Sequence, residues 1–318
     1  MTVIAGYVAP SRRPGELGVH SVDGFNVTVP NLKVAQNFYA AFGLAPREEG
    51  QTLGLYTEGH SHRWGQISEG PAKKLTYVSF GAFAEDLEPL RSRLQQRGVQ
   101  QLDPPAGFES NGVWFHDPEG TLIEIRVAEK SSPDAKSIVC NVSSAPGVQG
   151  APSRSGAGAV RPRRFAHILL FTSDVSRSIT FYHNVLGLRL SDRSGDGVAF
   201  MHGIHGSDHH MIALAKSDGP GLHHLSWDVG SFHEVGLGAM QMADKGYSAG
   251  WGVGRHVLGS NYFHYVRDPW GSWCEYSSDI DYIPVDHDWA SGDHAEQDAF
   301  YVWGPTPPTD FITNHETA

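Results

Sequence analysis

Three residues in the later half of the chain, His167, His224 and Glu275, are of the types that hold a metal ion through nitrogen and oxygen. Each falls in a strand-like run. What singles them out is a comparison inside the sequence itself. The run FAHILLFTSDVSRSITFYHNVLGL at 165–188 echoes VDGFNVTVPNLKVAQNFYAAFGL at 22–44. LHHLSWDVGSFHEVGLGAMQMADKGY at 222–247 echoes LTYVSFGAFAEDLEPLRSRLQQRGV at 75–99, and YVRDPWGSWCEY at 265–276 echoes WFHDPEGTLIEI at 114–125. In that repeat His167 answers to Gly24, His224 to Tyr77 and Glu275 to Glu124, so only the later copy carries the full set. A lone histidine on a strand is more often structural than a ligand; three ligand types at equivalent positions of successive units shift that balance. Two imidazoles and a carboxylate can occupy one face of an octahedral ion and leave the other face open. Such a site suits Fe(II) that must hold a substrate and dioxygen together, with Mn(II) an alternative occupant.

The elements that must position these residues follow from the same repeat. Each copy has a β-rich run, then a helix-capping residue (Asn31, Asp174), then a helix carrying Phe38-Tyr39 or Phe181-Tyr182, then Gly43-Leu44 or Gly187-Leu188. A cap before the apolar period and a glycine just past the helix end are the expected punctuation. Units of this kind begin near residues 22, 75, 165 and 222. The predicted fold is α+β, with four βαβββ modules paired into two domains of curved sheet and helices outside. The divisions are an N-terminal non-catalytic pair at 1–130, a linker rich in Ser, Gly, Ala and Pro at 131–163, a catalytic metal-binding pair at 164–282 and a tail at 283–318. Strand alternation places Leu222 and Ser226 on the same concave side as His224, with His223, Leu225 and Trp227 facing away. His167 and Glu275 share the concave side with Phe171 and Trp273, while Cys274 faces the helices.

Composition narrows the functional classes. The formal charge is −11, but after Glu275 there are nine acidic residues and no Lys or Arg, so the rest of the chain is close to neutral. Neither nucleic acid nor an anionic membrane is an expected partner. The stretch after Glu275 also carries Tyr282, Trp289, Phe300, Tyr301, Trp303 and Phe311, too many large apolar groups for a purely solvated segment, and its tail is expected to lie across the body as a lid. The amino-terminal run lacks the apolar core of a secretory leader, and no stretch approaches the length of a membrane span. Cys140 and Cys274 offer no disulfide framework and are read as buried and inert, in keeping with a reducing cytoplasm.

The later half resembles the catalytic domain of the type I extradiol ring-cleaving dioxygenases of the vicinal oxygen chelate superfamily, the glyoxalase–bleomycin resistance–dioxygenase fold. The signature residues are Gly254-Arg255-His256, then Tyr265, Asp268-Pro269-Trp270-Gly271 and Glu275. The departure is His264, where the family has an aliphatic residue or Phe; it lies on the strand face opposite Tyr265. The resemblance spans roughly residues 20–290, with its specific motifs after 165, and it carries across two long-range implications. It makes His210, in DHHMIAL, the acid/base histidine beside the metal, and His256 and Tyr265 the groups that hydrogen-bond the bound catecholate or oxygen. It also makes the second member of each histidine pair functional, His210 and His224, leaving His209 and His223 as structural residues that point away.

The expected reaction is extradiol cleavage of a catechol by O2, opening the ring next to its two hydroxyls to give a semialdehyde-type product in aromatic catabolism. A histidine near neutrality can relay the protons that catechol binding releases and O–O cleavage consumes, a contribution of about 10²–10⁴-fold. Tyr265 and His256 would stabilise developing negative charge in a water-poor pocket lined by Phe171, Met201 and Trp273. A homo-oligomer, tetrameric or larger, is implied by resemblance alone. Two other readings stand beside this one: a glyoxalase-like lyase or isomerase on a divalent metal, and a metal-free binding protein of the bleomycin-resistance kind.

Overall fold

The computed structural model describes residues 10–108, 110–140 and 143–316. The first nine residues, part of the run weighed above as a leader, lie outside them. The repeat read from the sequence appears as two sheets with one strand order. In the earlier sheet the strands run Ala45–Glu49, Thr52–Tyr56, Gly65–Glu69, Ser21–Val29, Lys74–Ala82, Leu122–Val127, Val113–His116 and Gln101–Leu102. The later sheet has the same eight-strand pattern: Arg189–Ser194, Val198–His202, Ile212–Lys216, Arg164–Thr172, Gly221–Asp228, Trp273–Ser278, Tyr262–Arg267 and Gly250–His256. The tail adds an edge strand at each end, Gly292–Asp293 and Tyr301–Trp303. Each sheet is therefore two βαβββ modules whose first strands pair antiparallel at its centre. This is the vicinal oxygen chelate arrangement.

Helices form where the sequence places caps. Asn31 accepts from Val34 N, Asp174 from Arg177 N and Ser231 from Glu234 N, each satisfying one otherwise orphan amide at a helix start. The helices Leu32–Ala41, Leu87–Gln96, Val175–Leu186 and Phe232–Asp244 bury one apolar stripe each against a shared core. That core is continuous between the halves: Phe42 stacks on Tyr276 with ring centroids 3.9 Å apart, and the Tyr276 hydroxyl donates to the Phe42 carbonyl at 2.8 Å. Because Tyr276 faces the helix Phe232–Asp244, its neighbour Glu275 must face the other side of the sheet.

The Asp-Pro-x-Gly motif has a structural role in both copies. Asp268 Oδ1 accepts from Trp270 N and Ser272 N, and Asp117 Oδ1 accepts from Glu119 N and Thr121 N. Gly271 (φ +101°) and Gly120 (φ +88°) take the left-handed conformation that closes each turn. The turn delivers the chain into the strand bearing Glu275, or Glu124.

Three expectations about packing are corrected. Cys274 is buried in the core, but Cys140 is exposed, in the irregular stretch between the two sheets. Met201 packs in the helix-side core, and its neighbour Phe200 instead joins Leu169, Phe171, Ala213 and Ala215 on the opposite face. Leu222, expected beside His224, also belongs to the helix side. Among the described residues no helix is long and apolar enough to cross a membrane.

Candidate metal centre

Sheet register brings the three sequence-predicted ligands together. On the strand Gly221–Asp228, Ser226 sits opposite His167 on one neighbour and Glu275 on the other, and His224 lies two residues earlier. The earlier sheet has the same register, with Ser79 opposite both Gly24 and Glu124, and Tyr77 in the place of His224. There the carboxylate of Glu124 is taken by the hydroxyls of Ser79, at 2.6 Å, and Ser110. The repeat alignment therefore holds residue for residue, and the earlier copy has a carboxylate without imidazole partners.

In the later copy His167 Nε2 is 3.1 Å from His224 Nε2 and 3.1 Å from Glu275 Oε2, and His224 Nε2 is 3.7 Å from the same oxygen. These three residues are buried, and together they form a cluster of ligand atoms able to hold one ion. Ligand atoms at right angles around an ion with bonds of about 2.1 Å stand about 3 Å apart, so the spacing fits such an ion. Two further observations agree. Glu275 Oε2 is buried without a protein hydrogen bond. Burial, followed by the neighbouring histidines, also holds His224 well below the usual imidazole range, in the neutral form a metal requires. Burial alone would raise the Glu275 carboxyl, but His167 and His256 outweigh it and lower it overall. Asn261 Nδ2 donates to Glu275 Oε1 at 3.1 Å and fixes the carboxylate plane.

The second histidine of the 223–224 pair is the one in the cluster, as expected, but the first does not point away. The ladder slips between Leu222 and His224, opposite Leu170 and Leu169, so one extra residue is accommodated there as a bulge. Alternation breaks at that point. Leu222 turns to the core, and His223 lies on the site side against Phe171 and Phe311. His223 Nε2 is 2.9 Å from the Phe311 carbonyl, which only accepts, so Nε2 carries the proton. His223 Nδ1 then accepts from His224 Nδ1, 2.8 Å away, and the lone pair of His224 is left on Nε2, facing the cluster. A ligand histidine is usually oriented by a carbonyl or carboxylate on its other nitrogen, and here a second imidazole stands between.

The remaining predicted residues surround the cluster. The His210 ring lies against His167 with centroids 4.1 Å apart, and burial, then the neighbouring imidazoles, lowers its pKa well below the usual value. Its Nδ1 is 3.0 Å from His209 Nδ1. His256 Nδ1 donates to the Phe300 carbonyl at 2.9 Å, so its Nε2 accepts from the Tyr265 hydroxyl, also at 2.9 Å. His256 Nε2 comes within 3.8 Å of Glu275 Oε1. Burial, then the charge of Glu275, raises the Tyr265 phenol, which therefore stays protonated and able to donate. Trp251, Phe263, Tyr265, Trp273 and Phe311 form one apolar wall beside the cluster, and Leu169, Phe171, Ala213 and Ala215 form another.

The comparisons with known proteins point the same way. A family model described as "Glyoxalase/Bleomycin resistance protein/Dioxygenase superfamily" matches residues 164–276. "Metapyrocatechase 2" of Cupriavidus necator is 48% identical over 309 residues, covering 97% of this chain and 96% of that protein. This chain belongs to the extradiol dioxygenases of that superfamily. An "Iron-dependent extradiol dioxygenase" of Rhodococcus jostii is 28% identical over 151 residues, covering 43% of this chain and 49% of that one. Among solved structures, homoprotocatechuate 2,3-dioxygenase from Brevibacterium fuscum superposes with a TM-score of 0.74 at 21% identity, over 97% of this chain and 94% of that one, a likeness of fold.

Sequence reasoning missed the orienting roles of His223, Asn261 and the tail carbonyls of Phe300 and Phe311. Doubled histidines at 209–210 and 223–224 were the available signal. A bulge that lets both members share one side leaves no trace in a period-two pattern, and a backbone carbonyl has no sequence signature.

Proposed function

We propose that this extradiol dioxygenase opens a catechol next to its two hydroxyls, on a single Fe(II) held by His167, His224 and Glu275, with Mn(II) the alternative occupant. The convergence of three ligand atoms from three strands on one point carries this reading. The metal, when bound, supplies the open face on which catecholate and dioxygen meet and the electronic path between them. The chain's own groups do the rest. His210, held neutral by burial, takes the proton of a catechol hydroxyl and later returns it to the oxygen that must leave as the O–O bond breaks. Tyr265 directs its one O–H to His256 Nε2 before substrate binds, and turning that O–H onto the ring oxygen or dioxygen stabilises negative charge there while His256 stays beside it. The aromatic walls and the tail residue Phe311 exclude water, which strengthens each of these interactions.

Those walls are apolar, so the proposed substrate is an uncharged catechol, bare or carrying an alkyl or aryl group. The earlier half, residues 1–130, is proposed as non-catalytic, because its equivalent positions hold Gly24 and Tyr77. A homo-oligomer acting in a reducing cytoplasm completes the proposal; gel filtration with light scattering tests the first part.

The deciding experiment loads the protein with Fe(II) without oxygen, adds catechol, then admits air. A yellow ring-opened product with one O2 consumed per catechol is expected, faster with methylcatechols than with carboxylated ones. An iron-replete protein that stays colourless with the whole panel rejects the assignment.

A further inference from the structure

Asp192 stands outside the metal-ligand set, on the strand Arg189–Ser194, and is buried. Its Oδ1 accepts the backbone N–H of Gly292 at 2.8 Å and lies 2.9 Å from His294 Nε2, both in the tail. Its Oδ2 lies 2.9 Å from His209 Nε2 and accepts the Trp289 indole N–H at 3.3 Å. Burial by itself would raise this carboxyl, but the bonds from His209, His294 and Gly292 hold it down to about 2, so it is an anion throughout the working range. His209 is fixed as well, since its backbone N–H donates to the Asp281 carbonyl at 2.6 Å and its carbonyl accepts the Ser191 hydroxyl.

These contacts form a directed chain. A carboxylate only accepts, so His209 carries its proton on Nε2, the nitrogen facing Asp192. A neutral His209 then has a bare Nδ1, and the nitrogen 3.0 Å away, His210 Nδ1, must donate to it. The lone pair of His210 is thereby placed on Nε2. We propose that Asp192 and His209 are positioning residues, which hold His210 in the tautomer whose Nε2 accepts the proton of the bound catechol. The inference rests on the reading of His210 as the proton carrier. When Nε2 takes the catechol proton, His210 becomes an imidazolium with Nδ1–H still bonded to His209, and the Asp192 anion stabilises that charge through the intervening ring. No proton needs to travel along the chain, and the one on Nε2 returns to oxygen.

Asp192→Asn tests the tautomer directly. The Gly292 amide, 2.8 Å away, can only donate and keeps the new side chain's oxygen; the NH2 group turns toward His209 Nε2, and the longer Trp289 indole contact at 3.3 Å gives up its acceptor. That nitrogen must then accept, His209 donates from Nδ1, and His210 ends with its proton on Nε2, unable to act as a base. The first readout is ¹⁵N NMR of labelled histidine in the protein loaded with Zn(II), which is diamagnetic. Wild type should show His210 protonated on Nδ1, and Asp192→Asn should show it protonated on Nε2. The second readout is kinetic: kcat should fall by about 10²-fold or more while KM and bound iron hold, and Asp192→Glu should recover part of the loss. A wild-type His210 protonated on Nε2 overturns the proposal without needing any variant. So does an Asp192→Asn protein that keeps its kcat, or one that loses iron or raises KM at unchanged kcat, which would make the carboxylate purely structural. The parent reading fails separately, if His210→Asn turns over like wild type.

Discussion

The last described residue holds the tail to both halves of the chain. Glu316 Oε1 pairs with Lys73 and accepts Leu222 N at 3.1 Å, while Oε2 accepts Leu75 N at 3.0 Å. Lys73 also reaches the Leu222 carbonyl at 3.3 Å and the Ser272 hydroxyl. Both charged side chains are 4% exposed. Leu222 begins the strand that bears His224 and Ser272 precedes the strand that bears Glu275, so one ion pair joins tail, earlier half and the roots of two ligand strands. Glu316→Ala leaves a buried ammonium and two amide donors without their acceptor. Breaking a buried pair from one side costs about 3–5 kcal/mol. At about 1.5 °C per kcal/mol for 318 residues, from an unfolding entropy of about 2.1 cal/mol/K per residue, the expected fall in Tm is roughly 4–8 °C. Circular dichroism of the iron-loaded protein measures it. Replacing both partners with apolar residues, Lys73→Met with Glu316→Leu, removes the stranded charge and should recover much of the loss, leaving the two amides as the residue of the effect. A Glu316→Ala protein melting within a degree or two of wild type would show that the pair does not fasten the tail, and that Phe311 is held by its ring contacts and the bonds its carbonyl accepts from His223 and Trp273.

Further outcomes are expected at the site and in the core. His224→Ala should abolish iron binding; His223→Ala should weaken it by about 10–100-fold, the usual cost of losing a ligand's orienting partner, as measured by competition with a chelator. His210→Asn should keep iron and bound catechol yet slow turnover by at least about 10²-fold in stopped-flow assays. Acid should unfold the protein early: burial lowers His20 to about 4, His202 to about 3 and His264 to about 4. Each is neutral when folded and protonates near 6.5 when unfolded, so the stabilisation is complete above that value. It is lost at about 1.4 kcal/mol per histidine per pH unit as the pH falls from there toward the folded values, and urea midpoints measured from pH 7 to 5 will show it.

Much of this molecule was legible in its sequence because a duplication displays its own differences. Gly24 against His167 and Tyr77 against His224 marked the ligand positions, and strand register confirms the pairing. The Asp-Pro-x-Gly turns and the caps at Asn31, Asp174 and Ser231 form from local side-chain geometry, which is why short patterns revealed them or could have. What stayed hidden depends on distant chain. The bulge at His223 comes from how two strands pair, Met201 and Phe200 exchange faces on a strand too short to show its phase, and Asp192 meets His209 and His294 only after folding. The acidic, aromatic tail was expected to cover the body; its composition could not show that Phe300 and Phe311 present carbonyls to His256 and His223.

The most direct test of the central claim is anomalous diffraction at the iron edge from crystals loaded with Fe(II). One peak is expected, about 2.1 Å from His167 Nε2, His224 Nε2 and a Glu275 oxygen, and it should vanish in His224→Ala. A peak elsewhere, or full catechol cleavage by crystals with no metal at these three residues, would contradict the account.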